Sequence, residues 1–119
     1  MIVGIGTDIV EIDRVGKAYA RAGFAERVFT EKERELIGTR MARAAGNFAV
    51  KEAVVKAFGT GFGAVQPCQI EVLREPSGRP YVILHGQAQQ QAEQQGIRRL
   101  HVSISDEKAY ATAYVVAEE

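Results

Sequence analysis

Phe48-Ala49-Val50-Lys51-Glu52-Ala53-Val54-Val55-Lys56-Ala57-Phe58, followed at once by Gly59-Thr60-Gly61-Phe62-Gly63, is the organising stretch of this chain. Strong helix formers run from about Thr39 to Phe58, and Gly59 stands where a helix closes in the left-handed conformation. Glu52 and Lys56 lie one turn apart on one face, while Phe48, Val55 and Phe58 mark a buried side. On spacing alone, Glu52 and Lys56 form an ordinary surface ion pair worth about 0.3–0.5 kcal/mol. The glycine-rich loop brings a second reading, because such loops can present backbone N–H groups to a phosphate. It is not a P-loop: the lysine and the acid precede the glycines instead of following them.

Upstream, Ile2, Val3, Ile5, Ile9 and Val10 read as a buried opening strand, in which Gly4 and Gly6 would let another backbone approach closely. Asp13 is expected to cap a short helix running to about Ala22, stopped by Gly23. Thr30-Glu31-Lys32-Glu33 has capping-box spacing and starts a second short helix. Downstream, Ile70 to Leu73 and Tyr81 to Leu84 flank the turn Pro76-Ser77-Gly78-Arg79, a hairpin signal. The Gln/Ala-rich residues 87–95 read as an exposed helix ended by Gly96. Leu100, Val102 and Ile104 alternate with His101, Ser103 and Ser105, and a last apolar strand runs from Ala109 to Ala117. The expected order is β-α-α-α-β-β-α-β-β, an α+β fold with a mostly antiparallel sheet and a single domain over residues 1–119.

The chain has 119 residues, 46% hydrophobic and 25% charged, a globular composition that excludes a disordered or collagen-like chain. One cysteine, Cys68, excludes an internal disulfide and a multi-cysteine zinc site. No apolar run approaches a membrane span and Met1-Ile2-Val3-Gly4 lacks a basic leader, so a soluble cytoplasmic protein is expected. Fifteen basic and fifteen acidic residues give zero net charge, which excludes a globally basic nucleic-acid binder. Residues 14–56 nevertheless carry a local +5, either a solvated helix surface or a docking face for an anionic ligand or acidic protein.

Gly4-Ile5-Gly6-Thr7-Asp8 lacks the third glycine of a dinucleotide fingerprint. Asp8 carries more information. An acid inside an apolar strand is costly unless a basic side chain partners it or it ligates a hard cation such as Mg²⁺. His101 sits on the polar side of its strand, where a lone histidine is more often a hydrogen-bonded structural residue than a catalyst. A Ser-His-Asp hydrolase lacks its Gly-x-Ser-x-Gly elbow. His85 has no acidic neighbour in sequence and is assigned nothing, and Cys68, after Pro67, reads as packing.

Three segments together resemble a known family. Residues 1–12 with Phe24-Ala25-Glu26-Arg27-Val28-Phe29-Thr30, then Phe48 to Gly61, then His101-Val102-Ser103-Ile104-Ser105 are similar, in order and over nearly the whole chain, to bacterial holo-[acyl-carrier-protein] synthases. The resemblance implies a 4′-phosphopantetheinyl transferase of fatty acid biosynthesis. Such an enzyme moves the phosphopantetheine arm of coenzyme A onto a serine of apo acyl carrier protein and releases 3′,5′-ADP. It further implies a homotrimer with active sites between subunits, Asp8 and Glu52 holding Mg²⁺, and Lys56 near the transferred phosphate. Gly59, Thr60 and Gly61 would line the nucleotide pocket, and His101 would bind the nucleotide end across the interface. Arg14, with Arg21 and Phe24, would meet the acidic carrier protein. A water on the metal, Glu52 or neutral Lys56 could accept the serine proton.

One position departs from the family. Asn47 stands where many members have arginine or a large aromatic residue, so if that position contacts a coenzyme A phosphate, binding is expected to be weaker or supplied from Arg43 or elsewhere. A non-catalytic module binding coenzyme A or carrier protein, and a Mg²⁺-dependent phosphohydrolase, are the alternatives to the transferase.

Overall fold

A computed structural model describes residues 1–119. Strand β1 (Ile2–Glu11) leads into helices α1 (Ile12–Tyr19), α2 (Phe24–Val28), α3 (Glu31–Ile37) and the long α4 (Met41–Phe58). After a 3-10 turn at Pro67–Gln69 come β2 (Ile70–Arg74), β3 (Pro80–Leu84), α5 (Gly86–Gln94), β4 (Arg99–Asp106) and β5 (Tyr110–Glu118). All pairings are antiparallel: β1-β5-β4 form one sheet and β2-β3 a hairpin. The α+β class is as expected.

Helix α4 is the centre of the molecule, with Ala49, Val50, Ala53, Val54, Val55 and Phe58 buried. One face packs on β1 and β5, whose inward positions are mostly small: Gly4 and Gly6 on β1, and Ala111, Ala113 and Ala117 on β5. Gly4 and Gly6 are there because the helix backbone comes so close: a Cβ at Gly4 would lie 2.1 Å from the Ala57 carbonyl oxygen. The close approach anticipated from these glycines is therefore real. The burial of β1 is not. Ile5 (70% exposed) and Ile9 (62%) point to the other side, beside Tyr114 (60%). In a strand, alternate residues face opposite ways, so the glycines take the core and the isoleucines are left outside.

Several boundaries also differ. Asp13 does not cap α1; the cap position is Glu11, with no side-chain hydrogen bond, and Asp13 occupies the first turn, where its charge suits the helix dipole. The helix stops at Tyr19, before Gly23. That glycine (φ 85°) instead starts α2, a five-residue helix not anticipated, since so short a segment carries too few residues for a period. The capping box at Thr30 is present: its hydroxyl accepts from Glu33 N (3.2 Å), and the Glu33 carboxylate accepts from Thr30 N (3.1 Å).

A buried polar cluster ties α3 and the hairpin to α4. Lys51 Nζ donates to Glu33 Oε1 (2.8 Å), to Pro67 O (2.9 Å) and to Ile70 O. Asn47 Nδ2 donates to Glu33 Oε2 (3.0 Å) and to Val72 O (2.9 Å). Glu33, Asn47 and Lys51 are all fully buried. Burial raises the Glu33 carboxyl and lowers the Lys51 ammonium, each partner's charge opposing the change in the other. Farther out, Glu71 accepts from Thr30 Oγ1 (2.5 Å) and contacts His85 Nε2 (3.1 Å), so the histidine without a sequence neighbour has a carboxylate across the hairpin.

Candidate active site

The inward side of β1 carries Gly4, Gly6 and Asp8 at alternate positions. The two glycines draw α4 onto the strand, and Asp8 consequently faces the last turns of that helix. Lys56 Nζ donates to Asp8 Oδ1 (3.2 Å) and to the Thr7 carbonyl (2.9 Å). No Glu52–Lys56 ion pair forms: the lysine is committed to β1, which removes the surface-pair reading. Glu52 is half-buried beside the same group. Its carboxyl is raised above the usual range, first by burial and then by the negative charge of Asp8, with Lys56 opposing.

Asp8 Oδ2 is buried and has no hydrogen-bond partner. Such an atom is costly when left unpaired, and a second carboxylate lies close enough to feel its charge. Carboxylate oxygens of this kind suit a hard divalent cation, for which Asp8 and Glu52 could supply part of the shell. Of the two sequence readings of Asp8, the basic partner is found, Lys56 on one oxygen, while the other oxygen has no partner within the chain.

The loop after α4 differs from a phosphate cradle. Gly59 N donates to Lys56 O (3.0 Å), and Thr60 N (3.2 Å) and Gly61 N (3.4 Å) both donate to Val55 O. Those three N–H groups close the helix, as a left-handed terminus does, and Gly59 (φ 77°) and Gly61 (φ 66°) supply the conformations this needs. Thr60 is exposed in this loop, and its hydroxyl donates to Gly61 O (3.0 Å).

His101 is not brought to this group. Leu100, Val102 and Ile104 of β4 pack inward, so His101 faces outward with Ile5, Ile9 and Tyr114, across the sheet from Asp8. Its Nε2 contacts Glu118 Oε1 at 3.0 Å. Arg14 is exposed on α1 and Arg21 in the turn after it, while Phe24 is half-buried against Phe29 and Phe48, ring centroids 6.3 and 6.5 Å away. Asn47 belongs to the buried cluster with Glu33 and does not reach the surface.

Arg43 donates to Leu36 O (2.8 Å) and shares with Arg74 a cleft of about 540 Å³ between the start of α4 and the hairpin. Burial, and then the charge of Arg43, lower the Arg74 guanidinium. Sequence reasoning did not single out Arg74; nothing in a strand-end arginine signals that it folds back over Gly46 of α4. The Thr7 carbonyl was missed as well, since a main-chain acceptor leaves no mark in the sequence.

The sequence model of the 4′-phosphopantetheinyl transferase superfamily matches residues 4–115. The chain belongs to that superfamily. It is 52% identical over 118 residues to a holo-[acyl-carrier-protein] synthase of Lachnoclostridium phytofermentans, covering 99% of this chain and 97% of that one. The crystal structure of the holo-[acyl-carrier-protein] synthase from Neisseria meningitidis superposes with a TM-score of 0.89 at 38% identity, each chain covered completely. The Bacillus anthracis synthase in complex with CoA (3′,5′-ADP) superposes with a TM-score of 0.81 at 40% identity, over 98% of this chain and 96% of that one. Within the transferase superfamily, therefore, the chain is an enzyme of the holo-[acyl-carrier-protein] synthase family, and the α+β fold is the one its members share.

Proposed function

We propose that this enzyme transfers the 4′-phosphopantetheine group of coenzyme A to a serine of an apo acyl carrier protein of fatty acid synthesis, with Mg²⁺ and with release of 3′,5′-ADP. The observation that carries the reading is the group Asp8, Glu52 and Lys56, with Asp8 Oδ2 buried and unspent. Asp8 and Glu52 would hold the cation, and phosphate oxygens and water would complete its shell. Bound there, Mg²⁺ supplies charge neutralisation to the pyrophosphate and its leaving group. Lys56, half-exposed at the end of α4, is the ammonium nearest these carboxylates and would meet the transferred phosphate. Its charge is needed because the C-terminal end of a helix repels anions, and because phosphoryl transfer depends chiefly on positioning and charge.

Two further features support the same reading. The sheet's outward face leaves Ile5, Ile9 and Tyr114 in water, which suits a homotrimer in which this face is covered by a neighbour. In such an assembly His101 would serve the nucleotide end at the neighbour's Asp8 group, and Gly59, Thr60 and Gly61 would line that pocket. Arg43 and Arg74 are the cations offered to nucleotide phosphates where Asn47 is buried. Arg14 and Arg21, with Phe24 behind them, would dock the acidic carrier protein, mainly by accelerating encounter. A cytoplasmic location would fit coenzyme A and carrier protein as substrates. No helix is long and apolar enough to cross a membrane.

The test is intact-protein mass spectrometry of an apo acyl carrier protein incubated with the enzyme, coenzyme A and Mg²⁺. A gain of one phosphopantetheine group, abolished by EDTA and accompanied by 3′,5′-ADP, is expected. Coenzyme A binding without any gain on several carriers would indicate a binding module. Release of 3′,5′-ADP without a carrier would indicate a phosphohydrolase.

A further inference from the structure

The pair His101–Glu118 lies on the outward face of the three-stranded sheet, and its geometry is specific. In register, Glu118 stands directly opposite Arg99, and His101 opposite Val116, so His101 and Glu118 are diagonal neighbours on β4 and β5. The carboxylate nevertheless goes to the imidazole, Oε1 to Nε2 at 3.0 Å, and forms no ion pair with Arg99. Glu118 is well anchored: it pairs with Ile2 on one side and Arg99 on the other, and its carbonyl accepts from Arg98 N (2.8 Å). The hydrogen bond from His101 lowers the Glu118 carboxyl most; desolvation opposes this, and the charges of His101, the chain's amino terminus and Arg99 lower it further. Glu118 is thus an ionised acceptor, and an ionised carboxylate can only accept.

The consequence concerns the ring. A carboxylate that only accepts requires Nε2 to carry the proton, which fixes the tautomer and the ring plane and leaves the Nδ1 edge free. We infer that Glu118 is a positioning residue for His101, holding Nε2–H along the sheet so that the Nδ1 edge is offered to the nucleotide end of coenzyme A bound at a neighbouring subunit. The inference rests on the reading of His101 given above. Carboxylates orient functional histidines in this way wherever one ring nitrogen must be reserved for a ligand.

The test compares Glu118→Ala, Glu118→Gln, His101→Ala and the double variant His101→Ala/Glu118→Ala. Turnover at varied coenzyme A is combined with ¹⁵N NMR of the imidazole nitrogens at neutral pH. Glu118→Ala should raise KM for coenzyme A about tenfold, the worth of one charge-assisted hydrogen bond, with kcat changed less than about twofold. Glu118→Gln keeps an acceptor oxygen and should restore KM to within about threefold of the wild-type value. The double variant should be no worse than His101→Ala, since the two residues act as a unit. The ¹⁵N spectrum should show protonated Nε2 in the wild type and mixed tautomers in Glu118→Ala. An unchanged KM and unchanged tautomer in Glu118→Ala, while His101→Ala raises KM, overturns the positioning role. If His101→Ala itself leaves KM for coenzyme A unaltered, the nucleotide role of His101 fails, and the inference with it.

Discussion

Gly6 lies directly beneath Ala53: a Cβ at Gly6 would fall 1.8 Å from the Ala53 carbonyl oxygen. The helix that carries Glu52 therefore rests on the strand that carries Asp8 with no side chain between them. Gly6→Ala should force α4 away from β1, costing about 3 kcal/mol or more of stability. Because the displacement separates Asp8 from Glu52, residual folded protein should also lose most of its turnover. Urea denaturation and a metal-dependent assay on the same samples check both effects.

Lys51 compensates a carboxylate that has no access to water. Lys51→Met leaves Glu33 buried and unpaired, and should destabilise the protein by about 3–5 kcal/mol. The sign with pH follows from the raised Glu33 carboxyl. The folded state of Lys51→Met holds a proton there at a pH where the unfolded chain has released it, so stability rises as pH falls towards the ordinary glutamate range. Denaturation midpoints between pH 8 and pH 5 should show that rise in the variant and less of it in the wild type.

Glu52 is kept at a cost to the metal-free fold. Its carboxyl is raised by burial and by Asp8, so its ionised form destabilises the folded state above the unfolded chain's pKa, and most fully above its own. Glu52→Gln should accordingly be more stable than the wild type at pH 7 in EDTA, an advantage that vanishes once the pH drops below the ordinary glutamate range. The same variant should lose about 10³-fold in turnover. Thermal melts across pH, set beside the activity assay, separate the two effects.

The placement of His101 across the sheet from Asp8 makes a mixing experiment informative. Glu52→Gln and His101→Ala should each be impaired alone. Co-refolded in equal amounts, they should regain turnover if the proposed trimer shares its sites, because about a quarter of sites in randomly mixed trimers would then draw both intact residues from different subunits. Recovery no greater than the sum of the separate activities would contradict a site shared between subunits.

Much of this was legible in the sequence, for physical reasons that differ by element. The Thr30 capping box and the Gly59 terminus were readable because a local hydrogen-bond pattern demands those residue types at those offsets. That another backbone comes close to β1 was readable from Gly4 and Gly6, since nothing else so small recurs in that strand; that it is α4 was not. Which face of β1 is buried was not: isoleucine suggests a core position, but here the core side needs the absence of side chains. Helix α2 is too short to show a period, and the partners of Asn47, Lys51 and Arg74 come from elements 14 to 31 residues away along the chain. At the site, residue types gave Asp8, Glu52 and Lys56 as candidates, yet only the fold shows that the lysine bridges to the strand and leaves Asp8 Oδ2 unspent.

Mn²⁺ binding, followed by electron paramagnetic resonance with the ion as a stand-in for Mg²⁺ and with coenzyme A saturating, reads that oxygen most directly. The account predicts one bound ion per chain in the wild type, and affinity at least about 100-fold weaker in both Asp8→Asn and Glu52→Gln, the remaining fold intact by circular dichroism. Wild-type Mn²⁺ affinity in folded Asp8→Asn would contradict it, and the metal would have to be sought elsewhere than between β1 and α4.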